Sequence, residues 1–402
     1  MRSRTARRGR FTGSVVGGVS MAMVLALAAC GPPEPQAVTL LAGGGDQHLN
    51  DVSGAPSPGA EISLDGRITH LTGRGDGTVW GIMEPGHVLS VEADGTTRTR
   101  RATGEDGASV ELVDVAATPD GAVFVLVMTR SEIRELGSRA GAIYRLDDGN
   151  VVRPVDGEYG PVEDIATDSE GRLLMLENVG DPDVGVREHQ PHQVRRIEAD
   201  GSLTTIAGAD EVDAPDSADS RTWSDLPDST PALDLPLYRD TGITVGPDDT
   251  VYLASDSSVA AVSPGGGTIR RVGGAAGDDL DFDTGFEDPA EPDIVGLRDQ
   301  GSPVSVDDDG AVVFNVRAVF DSEDVVAWQV DGGTGRAQQI ADGARDDTFG
   351  HWPAAVMNDG EAQVVSILGD SAAWLDDETL VLSASDPNSE ESILATLETP
   401  KL

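Results

Sequence analysis

Beyond residue 36 the chain alternates short apolar stretches with acidic or glycine-containing turns. The segment "PHQVRRIEADGSLTTIAGAD" (191–210) shows the rhythm: Val194 to Ile197, a turn at Asp200-Gly201, then Leu203 to Ala207. Alternating residues around an Asp-Gly turn predict a tight β-hairpin. One hairpin buries little, so its recurrence decides the fold. A short strand, an acidic turn and a strongly apolar strand return at 113–127, 162–177, 241–255 and 302–316, and in looser form at 68–82 and 371–385. A second hairpin follows each of these except the last. Two hairpins make a four-stranded unit, and units of this kind stack around an axis as a β-propeller.

The pattern predicts an all-β, six-bladed propeller with four-stranded blades. "AVTLLAGGG" (37–45) reads as the last strand of a blade yet comes first, while the final copy has only three strands. The N-terminal strand therefore completes the last blade and removes an open edge. Residues 353–368 fit either an inserted hairpin or the stub of a seventh blade. "GAPSPGAEISL" (54–64) and "DSTPALDLPL" (228–237) resemble each other and stand at equivalent places before a blade.

The quoted hairpin and "TGITVGPDDTVYLASD" resemble the NHL-repeat propellers, in which a strand pair around an Asp-Gly turn leads to a basic-aliphatic strand and a "TIAG"-like strand. The resemblance spans about Ala37 to Leu402 and implies an architecture rather than an activity.

The front of the chain follows another pattern. "MRSRTARRGR" carries five arginines and no acid, an apolar run follows, and Leu27-Ala28-Ala29-Cys30 resembles the bacterial lipobox. The resemblance implies cleavage before Cys30, a diacylglyceryl group on Cys30, and anchoring at the extracytoplasmic face of the cell membrane. The expected organisation is a lipoprotein signal peptide at 1–29, the lipidated Cys30 and a short Pro-rich tether at 30–36, and the propeller at 37–402. Arg7-Arg8 hints at twin-arginine export, although Arg10 stands where that motif takes an apolar residue. Cys30 is the single cysteine, so no intrachain disulfide forms. The formal charge of −43 over 402 residues argues against nucleic-acid binding through the folded body, which needs a basic face.

Candidate chemistry is sparse. No nucleophile elbow, phosphate-binding loop or zinc-protease histidine pair occurs. Six residues before each blade's acidic turn stand His70, Asp114, Asp164, Gly242, Pro303 and Ser371. Glycine there matches the NHL pattern, so His70, Asp114 and Asp164 depart from it on three consecutive blades. Converging on the channel, they would form a metal site for a divalent cation such as calcium or zinc. The alternative makes them solvated edge residues of an acidic protein. Asp279, Asp281 and Asp283 alternate as in a calcium loop, though the glycine falls one place late and no glutamate closes the motif. "REHQPHQ" places His189 and His192 on a loop. The leading expectation is a lipid-anchored binding or scaffold propeller for a protein, peptide or glycan partner, without catalysis of its own. The alternative is a metal-dependent propeller hydrolase or lyase with its site at the channel mouth.

Overall fold

The computed structural model describes residues 37–43, 47–48, 55–73, 77–128, 141–148, 150–180, 191–210, 230–237, 241–255, 258–273, 303–307, 311–317, 325–331, 337–341, 352–358, 361–367, 371–376, 378–385 and 392–398. Strands dominate these residues; the helical turns among them are the short 3-10 segments Gly59–Glu61 and Ala232–Asp234. The quoted hairpin forms as the pattern requires. His192–Ile197 pairs antiparallel with Leu203–Ala207, beside Leu173–Asn178 and Val162–Thr167, in one four-stranded sheet. Gly201 takes φ +81° at its turn, the left-handed region that favours glycine.

The same meander recurs along the chain. Ile68–Gly73, Thr78–Met83, His87–Glu92 and Thr96–Arg101 form the first unit; Glu111–Ala117, Val123–Met128, Ala142–Leu146 and Val152–Pro154 form the second. Beyond the quoted unit come Gly242–Val245, Val251–Ser255, Ser258–Val262 and Ile269–Gly273, and then Pro303–Val306, Ala311–Arg317, Val325–Asp331 and Ala337–Ala341. The chain is a β-propeller.

Its ring closes through the chain's first strand. Ala37–Ala42 lies antiparallel to Ser392–Glu398, which continues to Thr379–Ser385 and Ala372–Trp374. The hairpin Trp352–Asn358 with Glu361–Ile367 adds to the other side of Ala37–Ala42, in parallel pairing, and so widens that sheet to six strands. It is neither free-standing nor the start of a further blade.

Among the described residues five sheets of four strands or more result, in place of the six separate blades, or seven, that the repeats lead one to expect. The difference lies at one junction. Ser305 forms a parallel bridge with Gly73, and its hydroxyl donates to the Gly73 carbonyl at 2.8 Å, so two four-stranded units, with Ser57–Pro58 added beside Thr96–Arg101, run on as a single nine-stranded sheet. The same hydroxyl accepts the Trp374 N–H at 3.0 Å. Gly73 has to be glycine here, because a Cβ would lie 2.2 Å from the Trp374 carbonyl oxygen.

The core sits between neighbouring units. Val88, Val115, Val125 and Val127 pack in one such layer, Leu126, Ile143, Ile165 and Met175 in the next, and Leu176, Val194, Leu253 and Val262 in a third. Aliphatic chains suit these thin layers, which accounts for the scarcity of aromatics; full burial of each contributes roughly 1.5–3 kcal/mol. The two look-alike segments prove equivalent. Pro58 and Pro231 each precede a 3-10 turn, and the following N–H, of Gly59 or Ala232, donates to the carbonyl of Gly95 or Gly267. Each strap ties a turn of one unit to the unit before it, as the Gly43 and Gly208 N–H groups donate to Gly59 and Ala232.

The two faces of the ring differ. On one face every connection between strands is three to six residues long, such as 93–95, 118–122, 168–172, 198–202 and 263–268. At the opposite face, where each innermost strand begins, the described strands end and resume across longer intervals, including 102–110, 129–141, 179–191, 208–241 and 274–302; 84–86, 256–257 and 359–360 are short there.

Candidate functional site

The innermost strands line the axis and, apart from the Ser305–Gly73 bridge, have no paired strand on the channel side among the described residues, so some of their N–H groups lack a sheet partner. The register residues supply one. The Ser371 hydroxyl accepts the N–H of Leu71 at 2.6 Å. Asp114 Oδ2 accepts the N–H of Ile165 at 2.7 Å, and Asp164 Oδ2 accepts that of Ile243 at 2.7 Å. Leu71, Ile165 and Ile243 each follow a register position, His70, Asp164 and Gly242. Each side chain therefore reaches across to the equivalent amide of the next unit.

His70 joins the chain differently: its Nε2 lies 2.9 Å from Asp114 Oδ1, which also accepts the N–H of Val115 at 2.6 Å. Asp164 Oδ1 accepts the Ile165 N–H at 2.9 Å, and Asp164 is hydrogen-bonded to Asp114. The three residues named from sequence thus stand in one hydrogen-bonded line, His70–Asp114–Asp164. Solvated edge residues would look different: Asp114 is 3% exposed.

A local backbone device turns all three inward. The pairing slips between Ile68 and His70, between Leu112 and Asp114, and between Val162 and Asp164, leaving Thr69, Val113 and Glu163 as bulge residues. A bulge re-aims the following side chain. Gly242, which pairs without a slip, needs no such device. Bulges leave no sequence signature, so this feature was invisible in the residues alone. Ser305 was also missed, because it falls two places beyond the register residue Pro303.

Burial and charge set the protonation. For Asp114 burial alone would raise the pKa, but the His70 imidazole, the Asp164 hydrogen bond and the Ile165 N–H hold it below the ordinary carboxylate value. Asp164 is pushed well above that value, first by burial and then by the negative charge of Asp114. Two carboxyls this close cannot both ionise cheaply, which drives the pair apart, Asp114 down and Asp164 up. A divalent cation taken by this trio would have to compete with the amides of Val115, Ile165 and Ile243. Among the described residues no three His, Cys, Asp or Glu side chains stand in metal-ligating proximity.

His192 opens a strand rather than sitting on a loop, is fully buried, and faces Glu163 at 3.4 Å. Glu177 pairs with Arg195 at 2.8 Å on the same sheet. Deeper in the channel, Thr72, Thr118, Thr167 and Thr244 line a cavity of about 30 Å³, room for a single water. Cys30, His189 and the acidic run Asp279, Asp281 and Asp283 lie outside the described residues.

No family model matches the chain, and no curated protein matches it. Solved structures do share its fold. An auxiliary nutrient binding protein from Bacteroides thetaiotaomicron superimposes with a TM-score of 0.50 at 11% identity, over 90% of this chain and 76% of that one. A gluconolactonase from Xanthomonas campestris gives 0.42 at 15% identity over 84% and 89% of the two chains. Regucalcin, a calcium-binding protein from Agrobacterium tumefaciens, gives 0.41 at 13% identity over 90% and 94%. At these identities the likeness is one of fold.

Proposed function

We propose that the chain is a lipid-anchored, extracytoplasmic propeller that binds a protein, peptide or glycan through the face bearing its long connections. The observation that carries this reading is the asymmetry of the two faces. Strand ends on one side are joined by the shortest turns available, while nearly all the variable length enters and leaves on the other. A rigid frame with long connections gathered at one face is the arrangement that recognition uses. The cavity among Thr72, Thr118, Thr167 and Thr244, at about 30 Å³, is too small for an organic ligand, which supports a reading with binding at the surface of the mouth.

The test is to display the full chain on cells and probe it with a glycan array and a random-peptide library. Binding that is lost when residues 212–227 are replaced by a Gly-Ser linker, and kept when Ser202→Ala alters the opposite face, supports the reading. Binding that survives the replacement and is lost with the turn-face change contradicts it.

A second reading keeps the mouth as a metal-dependent hydrolase or lyase site built on His70, Asp114 and Asp164, which adjoin one another but are engaged in mutual and backbone hydrogen bonds rather than set in metal-ligating proximity. It requires purified protein to retain stoichiometric zinc or calcium that Asp114→Asn removes.

A further inference from the structure

The direction of the first strand fixes which face lies nearest the start of the folded body. Leu375 N–H donates to the Thr379 carbonyl across a short turn, and Thr379 is paired with Glu398. Ser392–Glu398 therefore ends at the short-turn face. Ala37–Ala42 runs antiparallel to it, with Thr39 opposite Thr396 and Ala42 opposite Leu394, so the strand starts at the short-turn face, and its far end stays tied to the short turn 93–95 through Gly59, whose N–H donates to the Gly95 carbonyl. Gly43, at the far end, lies against the Ser392 carbonyl.

We propose that the short-turn face is the membrane-facing side of the anchored protein and that the long-connection face points away from the bilayer. This rests on the lipid-anchor reading of Cys30. Only Gly31 to Gln36 separate that cysteine from Ala37. Fully extended, six residues reach about 20 Å, which is no longer than the strands themselves at about 3.3 Å per residue. Such a link keeps the lipid within about its own length of the start of Ala37–Ala42, so the short-turn face is the one it brings nearest the bilayer.

The chemistry of the near face agrees with a tether rather than adsorption. Its turns are capped by carboxylates: Asp94 accepts the Thr96 N–H at 2.8 Å, Asp200 that of Ser202 at 2.9 Å, and Asp248 that of Thr250 at 3.0 Å. Hydrogen bonds from Thr96 and Ser202 hold Asp94 and Asp200 below the ordinary carboxylate range, so the turns stay negative. Anionic headgroups repel such a face over about 10 Å at 0.1 M salt. A covalent link of comparable reach holds it close without contact.

The experiment uses the full chain, produced in a bacterium that lipidates its exported proteins and reconstituted into phosphatidylcholine vesicles carrying an acceptor dye on the lipid. A donor dye is attached through Ser202→Cys, on the short-turn face, or through Glu111→Cys, at the mouth end of an innermost strand. Both positions are exposed. The expected result is stronger energy transfer from the Ser202→Cys label, as a height difference of about 20 Å between the two ends of a six-residue strand demands. Equal transfer, or stronger transfer from Glu111→Cys, overturns the orientation while leaving the anchor intact. Vesicle association that is unchanged in Cys30→Ser overturns the anchor reading and the orientation with it.

Discussion

Asp114 Oδ2 lies 2.7 Å from the backbone nitrogen of Ile165, on the innermost strand of the following unit. The contact converts an open strand edge inside the channel into a paired one. Asp164 repeats it with Ile243 and Ser371 with Leu71, so a side chain does between units what a neighbouring strand does within a sheet.

The two aspartates should respond to substitution in different ways. Asp114→Ala removes the side-chain acceptor of the Val115 amide, leaves the Ile165 amide only its longer contact with Asp164, and takes away the partner of His70, so it should cost about 2–4 kcal/mol in denaturant unfolding. Asp164→Asn keeps a donor toward Asp114 and an acceptor for Ile243, and should cost little at neutral pH. Their pH dependences oppose each other. Asp114 titrates lower in the folded state, so its contribution is full above the ordinary value of 3.8 and is lost as pH falls. Asp164 titrates higher, so its contribution is full below 3.8 and is lost as pH rises through its folded value. Relative to the parent protein, Asp164→Asn should therefore gain stability on going from acid to neutral pH. A loss along the same path would show that Asp164 is ionised in the fold.

His87 should make the fold sensitive to acid. Burial, then the nearby Arg101 charge, lower its pKa below 6.5, against an opposing contact with the Pro85 carbonyl. The unfolded chain binds the proton first, so stability is full above 6.5 and declines as pH falls below it. His87→Phe should flatten the unfolding free energy between about pH 7 and pH 5. An unchanged slope would mean that the folded state accepts the proton as readily as the unfolded chain.

Gly73 and Gly201 are glycines for different reasons, and alanine separates them. At Gly73 the added carbon meets the Trp374 oxygen at 2.2 Å, so Gly73→Ala should cost at least about 1–3 kcal/mol and loosen the junction with Ser305. At Gly201 nothing stands within 4 Å and only the φ of +81° resists, so Gly201→Ala should cost about 1–2 kcal/mol. Thermal melting of the pair checks the order. Equal melting temperatures would contradict the tight packing at the junction.

The propeller was legible because turn chemistry and alternation are local: Asp200-Gly201 announces its hairpin from adjacent residues. Closure was legible because the first copy begins with a last strand. The merging of two units was not, since it depends on Ser305 meeting Gly73, residues far apart in sequence that carry no shared motif. His70, Asp114 and Asp164 could be picked out as departures from a glycine register. Their partners could not, because backbone amides look alike in a sequence and bulges at Thr69, Val113 and Glu163 leave no mark. His192 looked like a loop residue beside Pro191, yet the strand begins there and closes over it.

The most direct test of the account is native-state hydrogen exchange across the closing sheet. With Ala37–Ala42 built in as a central strand, its amides should exchange as slowly as those of Ser392–Glu398, with the same dependence on denaturant. Exchange of Ala37–Ala42 at the rate of an unstructured peptide, while Ser392–Glu398 stays protected, would contradict both the closure of the ring and the face assigned to the membrane.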